Sequence, residues 1–413
     1  MKSKSSSASP EGVDPFAPPE GGWRRIIGRF KGQRPGPKVV FMASLHGNEP
    51  AGSVAIGRVL KVLHERNVPF SGDIIGIIGN LKALTADVRY LERDMNRMWT
   101  EDLIARAQQP HRSDGPQGPG SGIGTEWEEL KEAQTLLKEE LDGCDQEAFL
   151  VDLHTSSADG VPFACVGDTI RNRRFTRALP IPILLGLEEQ LDGALLEYLN
   201  NRGVVTMGLE GGQHREPHSI DRHEAGIWIS LFSAGCFPGP VPEQVVQGRR
   251  LLSEARCNLP SALEILHRHG LRNGENFQMK PGYENFTKVT TEEVLATDQS
   301  GEIRAPLPGR IMLPLYQGKG EDGFFIAREI RPFWLRISAF LRIIKAYRLV
   351  KHWPGVSRHP NIPHTVIVNK KVARWYSIQL FHLLGYRKRR ANKDLLVMTR
   401  RAFDQKKPDQ IRI

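Results

Sequence analysis

Residues 38–52 read KVVFMASLHGNEPAG. The first eight are almost continuously apolar and β-branched or aromatic, as expected for a strand of a parallel sheet buried on both faces. The remainder is a polar turn holding an imidazole, a glycine and a carboxylate. A helix is predicted next, from about Gly52 to Arg66, with apolar residues at Val54, Ile56, Val59, Leu60 and Leu63. Asp73–Ile78 is a second predicted strand, so the chain opens as a strand–helix–strand unit.

Alternation of this kind continues. A helix is predicted over Thr125–Leu141, with a threonine at its cap and glutamates in its first turn. The strand AFLVDLH follows and ends at His154. Short apolar runs at Pro162–Val166, Ile181–Leu185 and Val204–Leu209 alternate with helical patterns at Glu188–Asn200 and His218–Ala234. The fold class expected is α/β, a mixed and mostly parallel sheet flanked by helices. From about Asn276 the texture changes to short β-prone pieces between Gly and Pro turns, a small antiparallel β module. The expected domains are a disordered leader (1–35), an α/β domain (36–270), a β module capping the pocket (271–330) and a basic C-terminal extension (331–413). A Gly/Pro-rich surface loop is expected at Pro110–Gly124.

Composition narrows the class. Of the 413 residues, 39% are hydrophobic and 25% charged, which is ordinary for a globular chain. No run approaches the roughly 18 apolar residues needed to span a bilayer. The leader lacks the apolar core of a signal peptide. Four widely spaced cysteines with no CxxC pair suit a reducing, cytoplasmic compartment. The net charge of +10 is unevenly distributed. Residues 331–413 hold twenty Lys and Arg against three Asp, or +17, and residues 1–330 carry −7.

Three chemical features fall at the ends of predicted strands, where open α/β sheets place ligands. His46 and Glu49 stand three positions apart, and a tight turn through Gly47 would let both face one cation. Asp152-Leu153-His154 delivers a second imidazole. Two His and one Glu form a catalytic zinc set with a position left open for water. Leu209-Glu210-Gly211-Gly212 brings a carboxylate off a third strand. A fourth element, RYLERDMNR at 89–97, offers guanidinium groups that can grip carboxylates through two bonds. An HxxE string alone is common; three such features together at strand ends are not.

HGNEPAG, RYLERDMNR, DLHTSS and LEGG, in that order, resemble the succinylglutamate desuccinylase/aspartoacylase family of zinc carboxypeptidase-like hydrolases. The resemblance spans about residues 36–330. It implies that one Zn2+ is held by His46, Glu49 and His154, and that Glu210 is the general base. It places Arg89 against the scissile carbonyl oxygen, gives Asn96 and Arg97 a substrate carboxylate, and leaves Asp94 in support. Tyr316 is a loose counterpart of a tyrosine that relatives offer to substrate. The implied reaction is hydrolysis of an N-acyl amino acid, or a similar carboxylate-bearing amide, by metal-bound hydroxide, since zinc brings its water's pKa from about 15.7 towards 7. Aspartoacylases carry an arginine ten residues before the catalytic glutamate; here Asn200 stands there. N-acetylaspartate is therefore not expected as substrate. A carboxypeptidase acting on peptides and a non-catalytic binding protein are the alternative readings.

Asp152, two residues before His154, is expected on the opposite face of its strand and is not counted as a ligand. His214, His218 and His223 are expected to be ordinary loop and helix-start histidines, with His214 lining the pocket. The basic tail, RPFWLRISAFLRIIKAYRLVKHW and then YRKRR, is expected to be a small helical module packed on the enzyme with its charges solvated. An anionic membrane surface is the alternative partner. Nucleic acid is disfavoured because no nucleic-acid fold signature accompanies the charge.

Overall fold

The computed structural model describes residues 14–66, 68–108, 124–272, 274–369, 371–372, 378–391 and 395–413. Its strands are β1 (Ile26–Lys31), β2 (Arg34–Ala43), β3 (Ser71–Ile78), β4 (Ala148–Ser156), β5 (Phe163–Cys165), β6 (Ile183–Leu185), β7 (Val205–Gln213), β8 (Ala262–Gly270), β9 (Gln278–Met279), β10 (Lys288–Val289), β11 (Val294–Asp298), β12 (Gly301–Arg304), β13 (Gly309–Met312), β14 (Asp322–Glu329), β15 (Val356–Arg358), β16 (Thr365–Asn369), β17 (Tyr386–Ala391) and β18 (Leu395–Arg400). Its helices are α1 (Ala51–Glu65), α2 (Leu81–Thr85), α3 (Glu101–Ala107), α4 (Gly124–Leu141), α5 (Ile170–Thr176), α6 (Leu195–Asn200), α7 (Pro217–Ala234), α8 (Glu243–Arg256), α9 (Pro332–Ile343) and α10 (Ile378–Leu383).

Eleven strands form one mixed sheet in the order β1-β3-β2-β4-β7-β5-β6-β8-β14-β13-β10. The run β3-β2-β4-β7 is parallel, as its apolar strands predict. One face of the sheet packs against α1 and α7 through Ile56, Val59, Ile227 and Trp228. The other packs against α4 through Trp127, Leu130 and Leu137. β4 and most of β3 and β7 are buried on both faces, so they show no polar alternation. β8 pairs antiparallel with β14, which joins the 271–330 segment to the central sheet.

Three expectations change. The leader was drawn to residue 35, but Ile26–Lys31 pairs antiparallel with β3; residues 1–13 lie outside the described residues. So does the core of the Pro110–Gly124 loop. The helix expected over Glu188–Asn200 is a 3-10 turn at Leu187–Glu189 and then α6, with Gly193 breaking the run at φ +72°.

The C-terminal extension is not a helical module. After α9 it forms a four-stranded antiparallel sheet, β15-β16-β18-β17, around Val366, Phe381, Leu396 and Met398. Several of its charges are buried rather than solvated. Arg342 is fully buried and donates to Asp168 Oδ2 (2.8 Å) and Asp404 Oδ1 (3.2 Å). Arg387 meets Asp168, Glu189 and Glu264. Beyond that sheet, Ile411 and Ile413 insert beside α4 in the core of the main domain.

Candidate active site

Strands β2, β4 and β7 are neighbours, and the loops and residues at their carboxyl ends meet. β2 ends in a turn at Ser44, whose φ of +52° is held by Oγ bonds to the Glu49 carbonyl (3.0 Å) and Ser53 Oγ (2.9 Å). At Gly47 a Cβ would fall 2.0 Å from the Ala83 carbonyl carbon, so only glycine lets this loop lie against α2. The turn thereby carries His46 and Glu49 to one side.

The three ligand atoms offered by His46, Glu49 and His154 all lie within 4.8 Å of one another, and all three residues are buried. His46 Nδ1 is 2.9 Å from Glu49 Oε1, and His154 Nδ1 is 3.2 Å from Glu49 Oε2. The Thr155 amide donates to Glu49 Oε2 at 2.8 Å and fixes that carboxylate. Each outer imidazole nitrogen has its own carboxylate. His46 Nε2 lies 3.1 Å from Asp94 Oδ1, and His154 Nε2 lies 2.8 Å from Asp152 Oδ2. Carboxylates in that position orient metal-bound imidazoles and raise their basicity. The Asp152 expectation was mistaken: residues two apart on a strand share a face.

Burial opposes charge here, yet His46 and His154 hold Glu49 well below its usual value, and His46 and Arg89 do the same for Asp94. Burial works against the His154 imidazolium too, but Asp152 and Glu49 raise it well above normal. Glu210 goes the other way. Burial pushes its carboxyl up to about 8, and its Oε2 has no hydrogen-bond partner among the described residues. It stands opposite His154 in the β4–β7 register.

Three carboxylates, Glu49, Asp94 and Asp152, face one guanidinium in this cluster, Arg89. The N, N, O donor set of His46, His154 and Glu49 suits a divalent metal ion. Arg89 reaches Glu49 Oε1 (3.4 Å), Asp94 Oδ2 (3.3 Å) and His46 Nε2 (3.0 Å). The loop that carries it is pinned by buried Glu126 of α4, which accepts from the Leu91 and Glu92 amides (2.7 and 3.0 Å).

The same cavity is lined by His46, Glu49, Arg89, Asn96, Arg97, His154, Glu210 and His214. Asn96 already spends Oδ1 on the Leu195 amide (3.0 Å), and Arg97 is paired with Asp322 (2.7 Å) and Glu321 (3.6 Å). Tyr316 is not brought to the cavity wall. Its hydroxyl bonds the Lys280 and Tyr283 carbonyls on the outside of the β module, while the next residue, Gln317, lines the cavity and accepts from Asn48 Nδ2 (2.9 Å). Asn200 turns inward to Asn172 Oδ1 and the Val204 carbonyl. His214 bonds Thr155 Oγ1 (2.8 Å) at the wall. His223 is a buried structural residue, its Nε2 on the His154 carbonyl (2.9 Å), and burial lowers it to about 4. Sequence reading missed Gln317, the backing by Asp152, and Arg401, which lines the cavity from the C-terminal extension. The i, i+2 spacing could have revealed Asp152; nothing local marks the other two.

Comparison with known proteins agrees with this geometry. The family model described as succinylglutamate desuccinylase/aspartoacylase catalytic domain matches residues 35–225. A succinylglutamate desuccinylase from Serratia proteamaculans (strain 568) is 38% identical over 61 residues, 15% of this chain and 19% of that protein. The chain thus matches about a fifth of that relative's length. A succinylglutamate desuccinylase structure from Vibrio parahaemolyticus superimposes with TM-score 0.51 at 16% identity, covering 73% of this chain and 86% of the other. One from Chromobacterium violaceum gives 0.50 at 19% identity, covering 72% and 86%. At these identities the structures share the fold. Residues 35–225 are thus similar to the succinylglutamate desuccinylase/aspartoacylase catalytic domain.

Proposed function

We propose that this chain is a zinc-dependent hydrolase of an N-acyl amino acid or a similar carboxylate-bearing amide. The observation that carries the reading is the His46–Glu49–His154 cluster with a carboxylate behind each imidazole and the unpartnered Glu210 Oε2 nearby. His46, Glu49 and His154 would hold the ion, which when bound supplies Lewis acidity towards water and the carbonyl oxygen.

The chain's own residues do the rest. Glu210 accepts the proton of the attacking water at its free Oε2 and returns it to the leaving amine. Arg89 donates to the oxygen on which charge develops, a contribution of roughly 3–4 kcal/mol for a well-placed donor. Asn96, through its unspent amide, and Arg97 meet polar groups of the substrate. Leu313, Pro314, Leu315 and Phe325 of the 271–330 segment roof the cavity, which favours a small substrate over a polypeptide. Thiols at Cys144, Cys165, Cys236 and Cys257, all free, support a reducing cytoplasmic setting.

The test is metal analysis of the purified chain coupled to a screen of acetylated and succinylated amino acids. About one zinc per chain is expected. Glu210→Gln should lower kcat by about 10²–10⁴-fold with metal retained. A chain that binds no zinc, or a Glu210→Gln variant as active as the parent on every accepted substrate, ends the reading.

One surface favours a membrane partner. Phe333, Trp334, Phe340, Ile343, Ile344 and Leu349 are 47–63% exposed along α9 and the turn after it, among exposed Arg331, Arg336, Lys345, Arg348 and Lys351. No helix among the described residues is long and apolar enough to cross a membrane, but an apolar strip edged with cations can lie on anionic lipid. Phosphatidylserine vesicles should co-sediment the chain, and Trp334→Glu with Phe340→Glu should abolish this. Equal sedimentation of the two proteins removes the membrane from the account.

A further inference from the structure

Three arginines line the cavity, and two of them hydrogen-bond carboxylates. Arg89 is tied to Glu49 and Asp94, and Arg97 to Asp322 and Glu321. The third, Arg401, follows β18 and reaches in from the C-terminal extension. Its side chain is only 10% exposed. Nη1 donates to Asn201 Oδ1 at 2.5 Å. Its other edge makes no hydrogen bond among the described residues: Nε is buried without one, and Nη2 forms a loose ion pair with Glu197 Oε1 at 3.9 Å, beyond hydrogen-bond reach. A buried guanidinium edge with two free N–H groups in parallel is the geometry that receives a carboxylate through two bonds. The group borders the cavity. Gly167 faces this group, and a Cβ there would lie 3.6 Å from Nη2 and 3.1 Å from Asn200 Oδ1.

The position of this edge says what the ligand between must be. Phe163 pairs with Glu210, and Gly167 is four residues further along. β5 ends at Cys165, so the four steps to Gly167 span at most about 13 Å from the level of Glu210. The wall between is apolar, formed by Cys165, Val166, Leu187, Leu191, Leu196 and Phe325.

We infer that Arg401 is a specificity-determining anion subsite, and that the cavity takes amides whose second carboxylate is separated from the scissile carbonyl by an apolar spacer of several carbons. This rests on the hydrolase reading for the bond that is cut, while occupancy of the subsite can be read without catalysis. The C-terminal extension then supplies part of the pocket and is more than an appendage. The spacer lies on either the acyl or the amine side of the amide; the chemistry Arg401 recognises is the same.

The experiment is calorimetric titration of the full-length chain with suberate, octanoate and succinate. Suberate is expected to bind at least about 10-fold more tightly than the other two. Arg401→Gln should weaken suberate by about 10- to 100-fold and leave octanoate and the melting temperature unchanged, with Arg401→Lys in between. Hydrolysis of N-suberoyl-alanine and of N-acetyl-aminooctanoate by the zinc-loaded parent and Arg401→Gln then assigns the side: KM rises with kcat held for the substrate whose carboxylate reaches the arginine. Suberate bound equally by parent and Arg401→Gln overturns the inference, as does a parent that binds no dicarboxylate better than octanoate. Loss of all hydrolysis in the parent with suberate binding intact would instead fail the hydrolase reading alone.

Discussion

Two buried clusters of charge can be set side by side. One surrounds His46, Glu49 and His154 at the ends of β2 and β4; the other lies where the C-terminal extension meets the sheet, around Asp168, Glu189 and Glu264. Both use imidazoles and guanidiniums against carboxylates, and both are nearly dry. In the docking cluster, Arg342, Arg387 and His382 of the extension meet Asp168, Glu189 and Glu264 of the main domain, while Asp404 of the extension and Arg173 and Arg328 of the main domain add pairs within each side. Each finds its partner inside the protein. The catalytic cluster does not balance in this way. Its carboxylates outnumber its fixed cations, its imidazoles present Nδ1 to a shared centre, and Glu210 keeps a bare oxygen. A cluster closed on itself holds structure together, whereas one left short of positive charge is built around a guest.

The sharpest blow to that contrast would fall on Arg342. Removing one member of a buried, hydrogen-bonded ion pair costs roughly 3–5 kcal/mol, because its partners keep their charge in a dry site. Arg342→Met should lower the urea midpoint by that equivalent and loosen the extension. An unchanged midpoint would mean that the docking cluster holds nothing.

Next comes pH. Burial opposes the His382 charge, but Glu189 and Glu264 outweigh it and raise the imidazole to about 9. A raised folded value means that stability is full below the unfolded value of about 6.5 and drains away as pH climbs through 9. The loss should be on the order of 3 kcal/mol between those limits, and absent in His382→Asn. Urea melts at pH 6, 7.5 and about 9 test the sign directly; stability rising over that window would refute it.

In the catalytic cluster, Asp152→Asn and Asp94→Asn leave the ligand set intact but weaken the groups behind each imidazole. Zinc affinity should fall about 10–100-fold in each. Competition with a chelator reads this without catalysis, and parental affinity in both would show that these aspartates serve only packing. The smallest effect is expected where neither cluster is touched. Arg58 bridges Asp221 and Glu224 on an exposed surface between α1 and α7, and Arg58→Ala should cost under about 1 kcal/mol. A larger loss would mean that exposure does not separate the two kinds of pair.

Much of the catalytic cluster is legible in the chain because each piece is local. HGNE is a turn between a strand and a helix, DLH ends a strand, and LEGG leaves one, so periodicity alone lines up their chemistry. Tyr316 and Gln317 show the limit. Which of two neighbours faces the cavity depends on how the β module lies against the main domain, and that is a matter of long-range packing. The C-terminal extension was misread for the same reason. Its arginines look like a solvated surface in the sequence, because the acids that bury them stand some 120 to 220 positions earlier.

By itself, then, the order of apolar runs and polar turns determined an α/β sheet with His46, Glu49, His154 and Glu210 at strand ends, since strand and helix periods act over a few residues. The tertiary structure alone decided the neutralisation of Arg97 by Asp322, the burial of the basic extension and the arrival of Arg401 at the cavity. Those depend on which distant surfaces close over one another, and a buried charge is tolerated only where that closure brings it a partner or leaves room for one.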